Sequence, residues 1–174
     1  MKRLLVLDEK NYDDDMPVVN RIAVRAIIFQ GDDIITIGDN IGELCLPGGG
    51  QEDGEDDIQT LIREVREEAG RIVIEDSIKP FGYIEERRLT AEGNAIMNHI
   101  SRLYFCDVRS EQLELRYTDD EKPFGMFVKL CSVDEAIEKN KNLIGTENEQ
   151  IWSKREYNTF LLIKKWAPMR AHEL

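Results

Sequence analysis

The hydrophobic and polar positions of the chain change period several times, and each change marks an element. Residues 2–7 (KRLLVL) form a short apolar run with strand character, and residues 8–16 (DEKNYDDDM) fit an acidic, solvated loop. Residues 21–29 (RIAVRAIIF) are β-branched and partly alternating. Gly31-Asp32 gives a turn signal, and residues 34–37 (IITI) resume the pattern. Together they predict a β-hairpin, with Leu44-Cys45-Leu46 adding a short third piece. The period then switches to that of a helix. Ile58, Leu61, Ile62, Val65 and Ala69 fall on one helical face. Asp56 and Gln59 have the spacing of a capping box, and Gly70 stands where a left-handed residue ends a helix. Residues 78–89, 97–108 and 124–131 follow as strand candidates, and 111–117 fit either a strand or an exposed segment. A short helix over 134–140 is capped near Ser132 or Asp134. Trp152, Tyr157, Phe160, Leu161 and Trp166 recur at helical spacing and predict a terminal helix within 147–166 that packs on the sheet. This order of elements predicts helices layered on a mixed sheet.

Composition narrows the class. Hydrophobic residues make up 41% and charged residues 33% of 174 residues, which suits one folded domain with a sizeable core. The expected division is a single domain over 1–174, with 1–17 as an N-terminal extension and 18–168 as the core. No apolar run approaches the roughly 20 residues of a membrane span. The apolar start is ended by Asp8 and Glu9, too early for a signal peptide. Cys45, Cys106 and Cys131 cannot all pair, and no CxxC spacing occurs, so a reducing, cytoplasmic compartment is expected. The net charge of −12 argues against nucleic acid and anionic membranes as partners. An anionic small molecule would need local positive charge, from side chains or a metal ion.

The candidate chemistry lies between Gly49 and Arg71, which read GGQEDGEDDIQTLIREVREEAGR. Glu64, Glu67 and Glu68 form one patch at i, i+3 and i+4, opposite the apolar face. Such a patch repels itself, and a divalent cation reverses the sign of that term. Hard cations such as Mg²⁺ take carboxylate, water and phosphate oxygens. By itself an REVREE string is ordinarily a solvated face neutralised by its own arginines.

The wider spacing changes that reading. Gly49, Glu55 six residues later, then Arg63-Glu64-Val65, Glu67-Glu68 and Gly70 resemble the signature of the Nudix family. Chance agreement at all these positions is on the order of one in a hundred thousand. Leu46-Pro47-Gly48-Gly49 also looks like the family's lead-in. One position departs: Arg71 stands where the family has an apolar residue, which puts the packing after the helix in question and leaves the carboxylates untouched. The resemblance implies an α+β fold, an α/β/α sandwich with a central mixed sheet. It implies a pyrophosphohydrolase that uses Mg²⁺ or Mn²⁺ to cleave a phosphoanhydride bond in a nucleoside diphosphate-linked small molecule. The alternative it allows is a module that binds a nucleotide or nucleotide sugar without cutting it.

Residue roles follow from the same resemblance. Glu67 and Glu68 are metal ligands, Glu64 is a ligand or a base, and a backbone carbonyl at Gly48 or Gly49 adds an oxygen. Arg63 is a strut that pairs with Glu55 or a box glutamate. Glu55, Gly49 and Gly70 support the site. Glu121, in a later acidic loop, is a further catalytic candidate, as ligand or base. Arg21 and Arg25 share one strand face and are candidates for binding phosphate. Glu85 and Glu86, with Arg87 and Arg88, occupy a strand whose parity the sequence leaves open. His99, mid-strand, reads as structural. Tyr83, Phe29 and Phe127 read as core before they read as stacking partners for a base. Pro80 and Tyr83 fall too early to match the family's substrate-specific positions, which leaves a nucleoside triphosphate as the default substrate. A homodimer is compatible with the resemblance, residues 2–7 being available for exchange.

Overall fold

The structure is a computed structural model that describes residues 1–116 and 125–170, with side chains through Trp166. Its elements are β1 (Arg3–Asp8), β2 (Val18–Ile27), β3 (Phe29–Gln30), β4 (Asp33–Gly38), β5 (Leu44–Cys45), β6 (Gly48–Gly50), α1 (Asp57–Glu68), β7 (Lys79–Leu89), β8 (Ile96–Phe105), β9 (Phe127–Ser132), α2 (Val133–Lys141) and α3 (Ser153–Arg170). The main sheet has the order β1-β7-β8-β2-β6. It is mixed: β1 runs parallel to β7 and β2 parallel to β8, while β7–β8 and β2–β6 are antiparallel. In a second, antiparallel sheet β4 pairs with β3, β5 and β9.

The hairpin expected from 21–29 and 34–37 is smaller than its sequence pattern suggests. The turn at Gly31, with φ of +64°, joins only β3 and β4, through Phe29↔Ile34 and Gln30↔Asp33. The strand breaks at Ile28. Upstream of that break β2 pairs with β8 over ten residues and with β6 on its other edge. A turn residue fixes local pairing alone; the long-range partner wins the rest of the strand because it satisfies far more backbone groups. The strand expected over 97–108 ends at Phe105, and the one expected from 124 begins, among the described residues, at Phe127. Residues 111–116 form no strand. They run along the end of α1, where Leu113 donates its N–H to Gly70 O at 2.8 Å and Arg116 to Glu67 O at 2.8 Å.

α1 begins as its sequence predicts. The Asp56 side chain accepts from Gln59 N at 2.8 Å, and the Gln59 side chain accepts from Asp56 N at 2.9 Å. Leu61, Val65 and Ala69 bury against Val24, Ala26 and Tyr104 on one face of the main sheet. On the other face, Ala136 of α2 and Phe160 and Ile163 of α3 pack with Ile27, Ile84 and Leu103. Helix layers therefore enclose the sheet from both sides, the expected α/β/α arrangement. Residues 3–8, placed in the extension by their sequence, form the edge strand of this same sheet. Leu4 lies over Gly82, where an added Cβ would come within 2.5 Å of Leu4 Cγ.

Register settles the parity of β7. Glu86 stands opposite His99, and His99 opposite Arg21. These three form one row across the sheet on the α3 side. Arg88 and Arg25, each at even spacing from a member of that row, point to the same side. Glu85 and Arg87 point away, to Arg3 and to the ring of Tyr12.

Candidate active site

The glycine strand and the carboxylate helix are fitted to each other. Gly48 has φ of +144° and pairs with Arg25; a Cβ there would lie 2.1 Å from Val24 O. Neither the backbone angle nor the space admits a side chain. A Cβ on Gly49 would lie 2.3 Å from Glu64 Oε1. The triple glycine thus lets β6 lie flush on α1. As a result Glu64 and Glu68, expected on an open helix face, are 7% and 6% exposed. Gly48 N–H donates to Glu68 Oε2 at 2.8 Å.

Arg63 organises the cluster. Its Nε and Nη2 donate to the two oxygens of Glu55 at 2.7 and 2.9 Å, and Nη2 also reaches Gly50 O at 3.0 Å. Its Nη1 donates to Glu64 at 2.8 Å and lies 3.4 Å from Glu67. The bidentate pair holds the Glu55 carboxyl down at about 2, and the same bond to Glu55 raises the Arg63 proton affinity further. Of the two partners the sequence left open for Arg63, it takes both. At the helix end, Gly70 has φ of +60°. Arg71 donates to the carbonyls of Ser110 and Glu111, so the residue that departs from the family pattern ties the helix end to the segment after β8.

A cavity of about 230 Å³ opens beside Glu68 and Gly48. Four arginines line it: Arg21, Arg25, Arg88 and Arg155. In a chain of net charge −12 this is where cations gather. Most are held in place. Arg155 of α3 donates to Glu86 at 2.7 Å and grips Glu156 through Nε and Nη2 at 3.1 and 2.9 Å. Arg88 stands 3.7 Å from Glu86, and Arg25 stands 3.7 Å from Glu156. Arg25 also donates to the carbonyls of Leu46 and Gly48. Burial alone would loosen the Arg25 proton, but Glu156 and the acids behind it more than reverse this. Arg25 therefore binds the glycine strand, whereas the sequence proposes it for substrate. Arg21 makes no hydrogen bond among the described residues and lies 3.5 Å from the position of a Cβ on Gly50. Its side chain keeps an exposed surface. Lost hydration, then the neighbouring Arg25, Arg155 and Arg88, lower its proton affinity. It is the cation best placed to take an anion.

His99 lines the cavity and is 3% exposed. Burial, then the surrounding arginines, push it down to about 2. It is neutral at ordinary pH and too weak a base to accept a proton there. Tyr83 lies on the opposite sheet face, near Asp57 and Tyr104, Phe29 packs against the core, and the Phe127 ring covers Gly38. None of the three lines the cavity. Glu121 falls outside the described residues. Sequence reasoning left Arg88 open with the parity of its strand and gave Arg155, Glu156, Glu43 and Trp152 no place at the cavity. The alternation of β7 places Ile84, Glu86 and Arg88 on one parity, but the sequence left open which parity faces the cleft. Trp152, Arg155 and Glu156 were hidden in a segment read as packing helix.

The donor set at α1 is hard oxygen throughout: two buried carboxylates, the half-exposed Glu67, and the Gly48 carbonyl. That chemistry fits Mg²⁺ or Mn²⁺ and suits no soft metal. Among the described residues no group of three or more acidic, thiol or imidazole side chains is arranged so that it could hold a metal ion by itself. Open sites of this kind complete their shell with water and substrate phosphate.

Comparison with known proteins agrees with this arrangement. No curated protein matches the chain. Among solved structures, a NUDIX hydrolase from Nitrosomonas europaea superposes with a TM-score of 0.56 at 21% identity, over 81% of this chain and 90% of that one. A MutT protein from Bacillus halodurans gives 0.54 at 21% identity over 68% and 72%, and an ADP compounds hydrolase gives 0.56 at 16% identity over 88% and 76%. At these identities the likeness is one of fold. The family model for the NUDIX domain matches residues 19–150, a span that contains the glycine strand, the carboxylate helix and the main sheet apart from its edge strand, and the chain belongs to the NUDIX family.

Proposed function

We propose that the protein is a pyrophosphohydrolase that cleaves a phosphoanhydride bond in a small, nucleoside diphosphate-linked molecule, with a divalent cation as cofactor. The observation that carries this reading is the burial of Glu64 and Glu68 beneath a glycine strand, beside an arginine-lined cavity. Arg63 already pairs with Glu64, and the Gly48 N–H with Glu68; a divalent cation joining the carboxylates would relieve their mutual repulsion further. Glu67, Glu68 and the Gly48 carbonyl would hold that ion, Mg²⁺ or Mn²⁺, with Glu64 as a further ligand or as the base. When bound, it supplies charge neutralisation at the phosphoryl oxygens and acidifies an attacking water.

The chain's own residues do the rest. Arg63 fixes the rotamers of Glu55, Glu64 and Glu67, so the ligands are set before substrate arrives. Arg21 binds a non-transferring phosphate. Water attacks phosphorus, the anhydride P–O bond breaks, and a carboxylate takes the proton. Glu64 fits that role; Glu121, named from sequence, remains a second candidate for it. The products are a nucleoside monophosphate and either pyrophosphate, from a triphosphate, or a second phosphomonoester, from a nucleotide sugar. The acidic surface suits a small-molecule substrate and a protein free of nucleic acid, and three free cysteines suit a reducing cytoplasm. No described helix is long and apolar enough to cross a membrane.

The test is hydrolysis of nucleoside triphosphates, dinucleotides and nucleotide sugars with Mg²⁺ or Mn²⁺, products identified by mass. Glu67→Gln and Glu68→Gln should each lower turnover on the order of a hundredfold with melting temperatures little changed. Wild-type turnover in either variant overturns that assignment. Tight nucleotide binding with no bond cleavage under any metal would favour a binding module instead.

A further inference from the structure

Arg25 places a largely buried positive charge beside the carboxylates that would hold a cation. Its side chain is 12% exposed. Nη1 donates to Leu46 O at 3.1 Å and to Gly48 O at 3.4 Å. The same Gly48 donates its N–H to Glu68 Oε2 at 2.8 Å, and Arg25, Gly48 and Glu68 line one cavity. A guanidinium here repels a dication and competes with it for the Gly48 carbonyl. Such effects are large where little water screens them. Arginine does not lose its proton in a protein, so a cation binds well here only if another group offsets that charge.

Glu156 offsets it. This residue of the first turn of α3 is 1% exposed. Its Oε1 lies 3.7 Å from Arg25 Nη2 and accepts from Arg155 Nε and Nη2 at 3.1 and 2.9 Å. Arg155 therefore fixes the carboxylate that faces Arg25. Burial opposes the charge of Arg25, and Glu156 is the carboxylate that does most to hold it, ahead of Glu68 and Glu64. Three guanidiniums, of Arg88, Arg155 and Arg25, are linked through the carboxylates of Glu86 and Glu156. Without Glu156, the charge of Arg25 would act mainly on the next carboxylates in that order, Glu68 and Glu64, at the expense of a metal ion.

We propose that Glu156 is a positioning residue for the divalent cation: as the counter-ion of Arg25 it draws that guanidinium toward α3 and lessens its pull on the carboxylates of α1, which thereby hold a metal ion more tightly. This rests on the hydrolase reading above, in which Glu67, Glu68 and the Gly48 carbonyl hold the ion. Glu156 lies beyond residue 150, outside the span that matches the family. The charge balance at the cation thus draws on a helix that the motif does not include.

The test is Mn²⁺ binding to the full chain without nucleotide, followed by the paramagnetic resonance signal of free Mn²⁺. Glu156→Gln keeps the shape of the side chain and removes its charge, and Mn²⁺ should bind about tenfold more weakly. Glu156→Asp keeps the charge and disturbs the packing, and should stay within about threefold of the unmodified protein. Adding Arg25→Met to Glu156→Gln should restore the affinity to within about threefold, because the charge that needed offsetting is gone. A purely structural role for Glu156 makes Asp as harmful as Gln and gives no recovery in the double variant; either result overturns the proposal. Should Glu156→Gln fail to fold, Arg25→Met alone decides. With Glu156 in place and the guanidinium gone, Mn²⁺ should bind about threefold or more tighter, and equal or weaker binding overturns the proposal. Mn²⁺ uptake that Glu68→Gln abolishes but Glu156→Gln leaves unchanged overturns the positioning role and leaves the hydrolase reading standing. The expected shifts in a protein that cleaves no nucleotide keep the positioning role and overturn the hydrolase reading.

Discussion

At the scale of single residues, Arg63 and Gly48 show most directly how side-chain chemistry becomes site geometry. Arg63 spends its donors on Glu55, Glu64, Glu67 and Gly50 O. Its substitution by Met should lower turnover more than it lowers melting, because each carboxylate loses the contact that orients it. The Glu55 pair also has a pH signature. Its folded pKa, about 2, lies below the ordinary value of 4.5. The pair's contribution is therefore complete above about 4.5 and is lost as pH falls from there toward 2. Glu55→Gln should lower stability at neutral pH and flatten its loss across that window, so that the two proteins converge near pH 2; an unchanged difference between them from neutral pH down to pH 2 would reject the account. Gly48→Ala tests the close approach. With φ of +144° and a Cβ 2.1 Å from Val24 O, it should cost roughly 3 kcal/mol in a denaturant titration. The pairing of Arg63 with Glu55 was legible as one of two pairings that the resemblance to the family implies. The inward tilt of Glu64 and Glu68 was not, because it depends on how closely β6 lies on α1, and helical period alone placed them outside.

Among the elements, α1 was readable from end to end. Its cap, apolar stripe and terminal glycine are all local, and all agree. β2 and β7 were readable as strands but not as faces. Alternation reports a face only when one parity is apolar, and both strands mix charge with aliphatic residues on the parity that faces α3. The reason is the buried ionic chain Arg88–Glu86–Arg155–Glu156–Arg25, which links strands to α3 through side chains 1–12% exposed. A sequence cannot announce such a chain, since its members lie in three separate elements. Removing one link leaves a buried charge uncompensated, so Arg155→Met should cost about 3–5 kcal/mol. Neutralising Glu86 in the same protein should return part of that loss, about 1 kcal/mol or more. Strictly additive losses in a double-mutant cycle would show that the two residues are not coupled.

For the whole molecule, the balance of charge matters most. A chain of −12 repels a polyphosphate at long range, so in the proposed reading attraction comes from Arg21 at short range and from a cation at the carboxylates. Metal and substrate therefore depend on each other: the ion lowers the repulsion that substrate meets, and substrate phosphate completes the shell that Glu64, Glu67 and Glu68 leave open. Stability records this coupling directly. A ligand that binds only the folded state at roughly 100 times its Kd adds about 2.7 kcal/mol, which for a chain of this size raises the melting temperature by about 5–10 °C. Mg²⁺ or Mn²⁺ with a non-hydrolysable nucleoside diphosphate analogue should reach that shift. The metal alone should give less, and the nucleotide alone, with a chelator present, close to none. In Glu68→Gln the metal's share should shrink because one anionic ligand is gone, while the response to nucleotide without metal stays near zero. A nucleotide shift of equal size with and without metal would mean that the arginines alone hold the phosphates, and the carboxylate helix would then have no part in binding.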